Sequence, residues 1–427
     1  MKDFLCFLTF LMFSHLLTAQ PVNGKTYGTG FSDFFYSSSQ TNDGNFILAG
    51  GKDDDAWIVK VGPNGHIIWE TMYVPTNYAD FDIIRQTPIN GGYIAAGDGY
   101  YAKLDSLGNV VWDHRDVNLK CFDVVERSNG GYFLVGYLYN NNQENAYSLN
   151  LYASGLVNTN STSTTSNGDR YSSVHTLTNG DYVLSGSIYL ASGDTRGFIR
   201  KKGSIGNPIW FEYIGESILE STPTTDGGFL LLESDDIIKT NSTGDSLWTK
   251  VFPGSVFRSL IQTSDGGYAL GGHDQLTNNG LFIKVDSMGN TLWSQDFQDL
   301  TGSIYIYSII EQSNGEFALT GATSHNGNDG YFVTTDAQGN PLSISIVSGQ
   351  NIDVQLFPNP TTELVTVTLD QLPSSMVQAE LMDLTGKVLK VISIQNKSTT
   401  FSIDELPNAI YILNIEGVKN TYKVIKQ

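Results

Sequence analysis

The stretch KVDSMGNTLW, Lys284 to Trp293, has a near-duplicate far upstream, KLDSLGNVVW, Lys103 to Trp112. Both place an Asp three residues before a Gly and a Trp four residues after it. The spacing recurs at other glycines. Gly65, Gly108, Gly206, Gly244 and Gly289 stand four residues before Trp69, Trp112, Trp210, Trp248 and Trp293. Two further units hold Thr159 and Ser343 in the Trp slot.

A second turn precedes each of these. The segments NDGNFILAG, INGGYIAAG, SNGGYFLVG, TNGDYVLSG, TDGGFLLLE, SDGGYALGG and SNGEFALTG share a turn glycine, at Gly44, Gly91, Gly130, Gly180, Gly227, Gly266 and Gly315. Asn-Gly and Asp-Gly favour the left-handed backbone of a tight hairpin, and the apolar alternation that follows is that of a half-buried strand. The glycines recur with a mean spacing of about 45 residues, the length of a four-stranded propeller blade. One unit reads as strand FRSLIQT, turn, strand GYALGG, loop, strand LFIKVD, Gly turn, strand TLWSQDF. Seven such units predict a seven-bladed β-propeller. Two segments, KTYG at Lys25–Gly28 and PLSISIV at Pro341–Val347, compete for the one fourth-strand place that closes the ring. Closure removes exposed sheet edges. NTNSTSTTSNG, residues 158–168, reads as a loose loop or a degraded strand.

Composition fits an all-β chain. Gly numbers 44, aromatics make up 12% and charged residues only 16% of the 427 residues, whereas long helices need more Ala, Glu, Lys and Leu. The 24 basic against 44 acidic residues give a net charge of −20. Such a surface repels phosphate backbones, and no basic stripe offsets it, so nucleic acid is excluded as a partner. The N-terminus, MKDFLCFLTFLMFSHLLTAQ, has an apolar run from Phe4 to Leu17. As a helix this run reaches about 21 Å, short of a bilayer core of about 30 Å. It reads as a signal peptide over residues 1–19, cut after Ala19. Cys6 leaves with it, so the mature chain keeps Cys121 alone and has no disulfide.

From about Asn351 the repeat stops. DVQLFPNPTTELVTVTL, AELMDLTGKVLKVISI, TTFSIDELPNAIYILNIEG and TYKVIKQ are strands joined by Pro- and Gly-bearing turns, a small Ig-like β-sandwich. This divides the chain into a propeller over residues 20–349 and a tail over 350–427. The tail has six Lys and eight Asp/Glu, leaving −18 of the charge on the remainder.

The Asp-x-x-Gly-x-x-x-Trp turn is similar to the Asp box of sialidases and to the tryptophan-docking repeat of quinone-type propellers, with one-residue differences in spacing from each. In both families the motif is structural. The resemblance implies that Asp105, Asp286 and Asp336 close their own turns and that the Trp packs between blades. The tail resembles the type A C-terminal sorting domain of the Bacteroidetes type IX secretion system, through Phe357-Pro358-Asn359-Pro360, Leu384-Thr385-Gly386-Lys387, Leu406-Pro407 with Ile410-Tyr411, and Lys423-Val424-Ile425-Lys426. Ala409 stands where that family has Gly. Membership implies export, tail cleavage, and surface anchoring or release, with the secretion machinery as partner. The triplets beginning at Asp105, Asp245 and Asp286 resemble that phylum's short O-glycosylation acceptor.

Chemistry is harder to place. His66, His114, His175, His273 and His325 show no metal-ligand spacing, and no nucleophile motif occurs. Asp53-Asp54-Asp55 and Asp235-Asp236, on loops between second and third strands, lack the spacing of a Ca²⁺ loop. No cofactor is expected, with Ca²⁺ the one metal an acidic propeller could gather. Polar residues four or five positions before each turn glycine, Gln40, Gln86, Glu126, His175, Thr222, Gln262 and Glu311, would form one ring at the channel mouth if the first strands line the channel. They are the candidate ligand contacts. The bland alternative is that polar residues simply precede turns. The sequence thus favours a monomeric, secreted or cell-surface, non-catalytic propeller binding a glycan or protein. A polysaccharide hydrolase or lyase is the alternative. A quinone-dependent dehydrogenase is disfavoured by the motif spacing.

Overall fold

The computed structural model describes residues 24–28, 32–73, 79–163, 167–299, 302–324, 328–342, 354–369, 377–384, 388–394, 396–415 and 422–427. Residues 1–19, expected to be a signal peptide, together with Ser343 and Gly386-Lys387, lie outside these residues.

Among the described residues every regular element is a β-strand. Blade 1 spans residues 34–73, blade 2 81–115, blade 3 119–162, blade 4 169–213, blade 5 220–251, blade 6 255–297 and blade 7 304–335. Within each blade the strands pair antiparallel in chain order. Blades 2 and 3 share one six-stranded sheet. Tyr93–Leu104 turns back at Asp98-Gly99, where Gly99 has φ 67°, so its first half pairs with Phe81–Gln86 and its second half with the start of Val110–Glu126. Val110–Glu126 then passes inward, and residues 119–126 pair with Tyr132–Asn140.

Lys25–Tyr27 closes the ring. It pairs with Asp329–Thr335 as the outer strand of blade 7, Thr26 opposite Tyr331. Of the competing segment, Pro341 makes only an isolated bridge to Thr335. Residues 343–347 lie outside the described residues. The Ser/Thr/Asn-rich stretch contributes a true strand, Val157–Thr162, exposed at every position and paired to Gln143–Leu151.

Each inter-blade layer has its own apolar cluster, such as Leu230, Leu232, Ile237, Phe257, Leu260, Tyr268 and Leu270 between blades 5 and 6. Burying such side chains stabilises by about 1.5–3 kcal/mol each. Where blades splay apart, the motif Trp fills the gap. A Cβ added to Gly108 would lie 2.7 Å from the Trp69 ring, and Gly155, Gly244, Gly289 and Gly339 stand against Trp112, Trp210, Trp248 and Trp293 in the same way. Each indole also meets the aromatic that opens the next blade's second strand, as Trp248 meets Tyr268 at 6.3 Å. Blade 3 has no Trp, and Gly206 of blade 4 accordingly has open space beside it.

Both turns of the repeat are fixed by side chains. Asp286 Oδ1 accepts from Met288 N (2.9 Å) and Asn290 N (2.8 Å), and Asp105 and Asp336 do the same in their turns. The Lys that opens the motif ties the two turns together: Lys284 pairs with Asp265 at 2.9 Å, Lys239 with Asp226 at 2.9 Å and Lys60 with Asp43 at 2.6 Å.

The tail is a seven-stranded sandwich. Val354–Phe357, Leu364–Leu369 and Ser398–Ser402 form one sheet; Val388–Ile394, Val377–Met382, Ile410–Ile415 and Tyr422–Ile425 form the other. Val365, Val367, Leu381, Phe401, Leu413 and Val424 make its core. Its sequence motifs meet in space. Asn359 donates to Lys423 O (2.6 Å) and accepts from Ile425 N (2.8 Å). The buried Lys426 ammonium donates to the carbonyls of Ile403 (2.8 Å), Asp404 (2.7 Å) and Leu406. Tyr411 Oη donates to Pro407 O (2.5 Å).

Candidate functional site: the central channel

The first strand of each blade packs around the axis, and six of these strands carry a β-bulge. A bulge leaves one residue out of the ladder and re-aims its side chain. The unpaired residues are Tyr36, Asp82, Phe122, Ser172, Arg258 and Tyr307, and Leu219 precedes the short unbulged strand of blade 5. All seven line one central cavity of about 490 Å³. Each blade therefore contributes one side chain to the same space.

At five of the seven junctions the residue after the channel-facing one ties its blade to the next. Ser37 Oγ accepts from Ile84 N (3.2 Å), Asp123 Oδ2 from Val174 N (2.9 Å), Glu220 Oε2 from Leu260 N (2.8 Å), Ser259 Oγ from Ile309 N (3.2 Å) and Ser308 Oγ from Ser38 N (3.2 Å). The two remaining junctions use other groups. Arg85 Nη2 donates to Asp123 Oδ1 at 2.7 Å between blades 2 and 3. Ser185 Oγ donates to Ser221 Oγ at 3.0 Å between blades 4 and 5, where His175 Nε2 also meets Ser221 O.

Burial tunes the acids here. Glu220 is pushed up to about 8, first by burial and then by the Asp123 charge, against the pull of Leu260 N–H and Arg85. Asp82 is raised to about 7 by burial and the neighbouring Asp80 carboxylate, with Lys120, 3.2 Å away, opposing. His175 is lowered, mainly by burial. Burial likewise holds the Cys121 thiol well above its ordinary range.

The polar ring read from the sequence is placed at the turn ends of these strands, and its register needs correction. Gln40, Gln86, Glu126, Gln262 and Glu311 stand opposite the first residue of the second strand. In blades 4 and 5 that position belongs to Thr176 and Pro223. His175 and Thr222 are one residue earlier, and in a strand a one-residue shift changes the face. Four of the five in-register residues hold the preceding blade's turn. Asn42 N donates to Gln86 Oε1 (3.0 Å), Ile89 N to Glu126 Oε2 (2.9 Å), Thr225 N to Gln262 Oε1 (2.8 Å) and Ser264 N to Glu311 Oε2 (2.6 Å).

Sequence reasoning missed the bulge residues because they share no residue type. A signal existed. Each lies four positions before the ring position, between a buried apolar side chain and, in most blades, a Ser or Asp.

Among the described residues no cluster of His, Cys, Asp or Glu could hold a metal ion. Asp53 and Asp54 form a left-handed two-residue turn, φ 51° and 69°. Asp236 is raised to about 7 by burial and the nearby Glu233.

Comparison with known proteins assigns the tail. Residues 355–427 match the secretion system C-terminal sorting domain family. No curated protein matches the chain. Among solved structures, the WD40 domain of Neurospora crassa Pan2 aligns with TM-score 0.50 at 11% identity, covering 74% of this chain and 91% of that one. The Dos1 propeller gives 0.47 at 10% identity, over 72% and 78%. A protein of unknown function from Bacteroides caccae gives 0.43 at 11% identity, over 58% and 89%. With seven four-stranded blades ahead of that tail, the chain is a β-propeller that carries a type IX secretion sorting domain, and it belongs with the proteins this route delivers, with cleavage of the tail, to the cell surface or the medium.

Proposed function

We propose that this chain is a non-catalytic, glycan-binding propeller that works outside the cell and takes its ligand in the central channel. Residues 1–19 act as the signal peptide, and the mature protein is a monomer that needs no cofactor. One observation carries the binding role: all seven blades present a side chain, chosen freely in each, to a single cavity of about 490 Å³. That volume suits a small-molecule site, and half-buried aromatic rings beside hydroxyl and charged groups suit a sugar. A structural channel would repeat its filler residues, as the Trp and Gly positions repeat theirs.

A second reading is favoured by one feature. Glu220, raised to about 8, lies near Asp123, and the two carboxyls resemble the pair of a glycosidase. Against it, Asp123 Oδ1 accepts from Arg85 and Val124 N, and Oδ2 from Val174 N. These bonds hold blades together.

The test is a thermal-shift and calorimetric screen of the mature propeller against extracellular polysaccharides, with and without Ca²⁺, followed by a reducing-sugar assay. A shift without turnover is expected. Product release abolished by Glu220→Gln would replace the binding reading with the hydrolytic one.

A further inference from the structure

The bulge residues are not distributed at random around the ring. Blades 6, 7, 1 and 2, consecutive in the closed circle, contribute Arg258, Tyr307, Tyr36 and Asp82. The two tyrosine rings are 5.4 Å apart. Tyr36 continues to Phe34 at 4.6 Å, Tyr307 to Tyr305 at 6.4 Å with planes 8° apart, and Tyr305 to His273 at 4.8 Å. Five rings thus form an unbroken strip across three blades, and all five are only half-buried. A cation bounds the strip on one side and a carboxyl on the other.

The two ends differ in how they are satisfied. Asp82 has Lys120 at 3.2 Å. The other channel arginine, Arg85, holds Asp123. Arg258 is exposed to the cavity and takes part in no ion pair among the described residues, although its charge reaches both Tyr307 and His273. The nearest channel acid on the adjoining blade, Glu220, accepts from Leu260 N. His273 Nδ1 is buried with no partner. The body outside the tail carries −18. Of the two lining guanidinium groups, Arg258 is thus the one left without a carboxylate partner among the described residues.

Resting on the channel-binding reading, we infer that the ligand is an acidic saccharide, its sugar ring lying against Tyr307 and Tyr36 and its carboxylate or sulfate on the Arg258 guanidinium. Guanidinium binds planar oxyanions through paired N–H donors, and the bonds strengthen when both groups are charged. The aromatic strip supplies the apolar face that a pyranose ring needs. Hydroxyls at the far end would meet Asp82. A neutral sugar would offer Arg258 only uncharged hydroxyl oxygens, which accept from it more weakly.

Calorimetry on the mature chain tests this with three probe sets: oligogalacturonates, sulfated galactan oligosaccharides and neutral galactan oligosaccharides of matched length. The acidic sets should bind about tenfold or more tighter than the neutral one, equivalent to about 1.4 kcal/mol. Arg258→Gln should weaken acidic binding about tenfold or more and neutral binding far less, so that the preference is lost, Arg258→Lys should restore part of it, and Tyr307→Ala should weaken all three. The stronger acidic set names the group as carboxylate or sulfate. Equal binding of neutral and acidic sets, indifferent to Arg258→Gln, overturns the inference and leaves the channel as a glycan site. No saccharide binding overturns both.

Discussion

The Ser308 hydroxyl of the last blade accepts a hydrogen bond from Ser38 N–H of the first, 3.2 Å away, and lies 2.9 Å from the Ser38 hydroxyl. Two residues 270 apart in sequence thus meet by the same contact that Ser259 makes with Ile309, one blade earlier. The ring is closed on its inner face by this bond and on its outer face by Lys25–Tyr27. Ser308→Ala removes the acceptor and leaves a half-buried N–H unsatisfied, a loss of about 1–3 kcal/mol. Urea denaturation should give that loss with an unchanged m-value. A loss below about 0.3 kcal/mol would mean that solvent satisfies the amide.

The Trp motif makes a sharper comparison. Gly108 and Gly206 occupy the same turn position with φ 85° and 88°. An alanine pays the same left-handed cost at both, about 1–2 kcal/mol. Only at Gly108 would the new Cβ strike a neighbour, the Trp69 ring. Gly108→Ala should therefore destabilise by about 1 kcal/mol or more beyond Gly206→Ala, the price of overpacking. Equal losses would remove the Trp from its role as a blade fastener.

Much of this architecture is legible in the sequence because it is local. Asp-Gly turns, Asp105-type turns and Gly-to-Trp spacings each depend on a few consecutive residues. What the sequence hides depends on partners. The choice between Lys25–Tyr27 and Pro341 onward for closure depends on pairing across the ring. The slip of His175 and Thr222 arises because blade 2 alone has a turn one residue longer, so the spacing to the turn glycine that suits Gln86 overshoots by one in blades 4 and 5, which only the ladder reveals. Tyr36, Arg258 and Tyr307 escape notice for a different reason. A position that faces a channel is released from packing constraints, so no repeat marks it.

Acid should loosen the clasp within the blades. Burial alone would raise Asp226 and Asp265, but hydrogen bonds from Thr224 and Thr263 and from Lys239 and Lys284 outweigh it and hold both near about 2. A carboxyl depressed on folding stabilises the protein fully above its unfolded value of about 3.9 and loses that contribution as pH falls towards 2. Because both aspartates are more than half exposed, solvent screening keeps each pair to about 1 kcal/mol or less. The double variant Asp226→Asn/Asp265→Asn should lie below wild type in melting temperature at pH 6 and converge with it near pH 2. Parallel curves would show that the pairs contribute nothing pH-dependent.

Glu220 should act in the opposite direction and at higher pH. Its folded value, about 8, lies above the unfolded value of about 4.3. The folded state therefore binds the extra proton between these limits, and stability falls as pH rises from about 4.3 to 8. Glu220→Gln keeps an oxygen to accept from Leu260 N but cannot ionise. Its melting temperature should lose the decline across that window and exceed wild type at pH 8, while the two agree near pH 4. A wild-type curve that is flat from pH 4 to 8 would mean that Glu220 is ionised in the folded channel, with the Arg85 cation stabilising its charge more than burial penalises it.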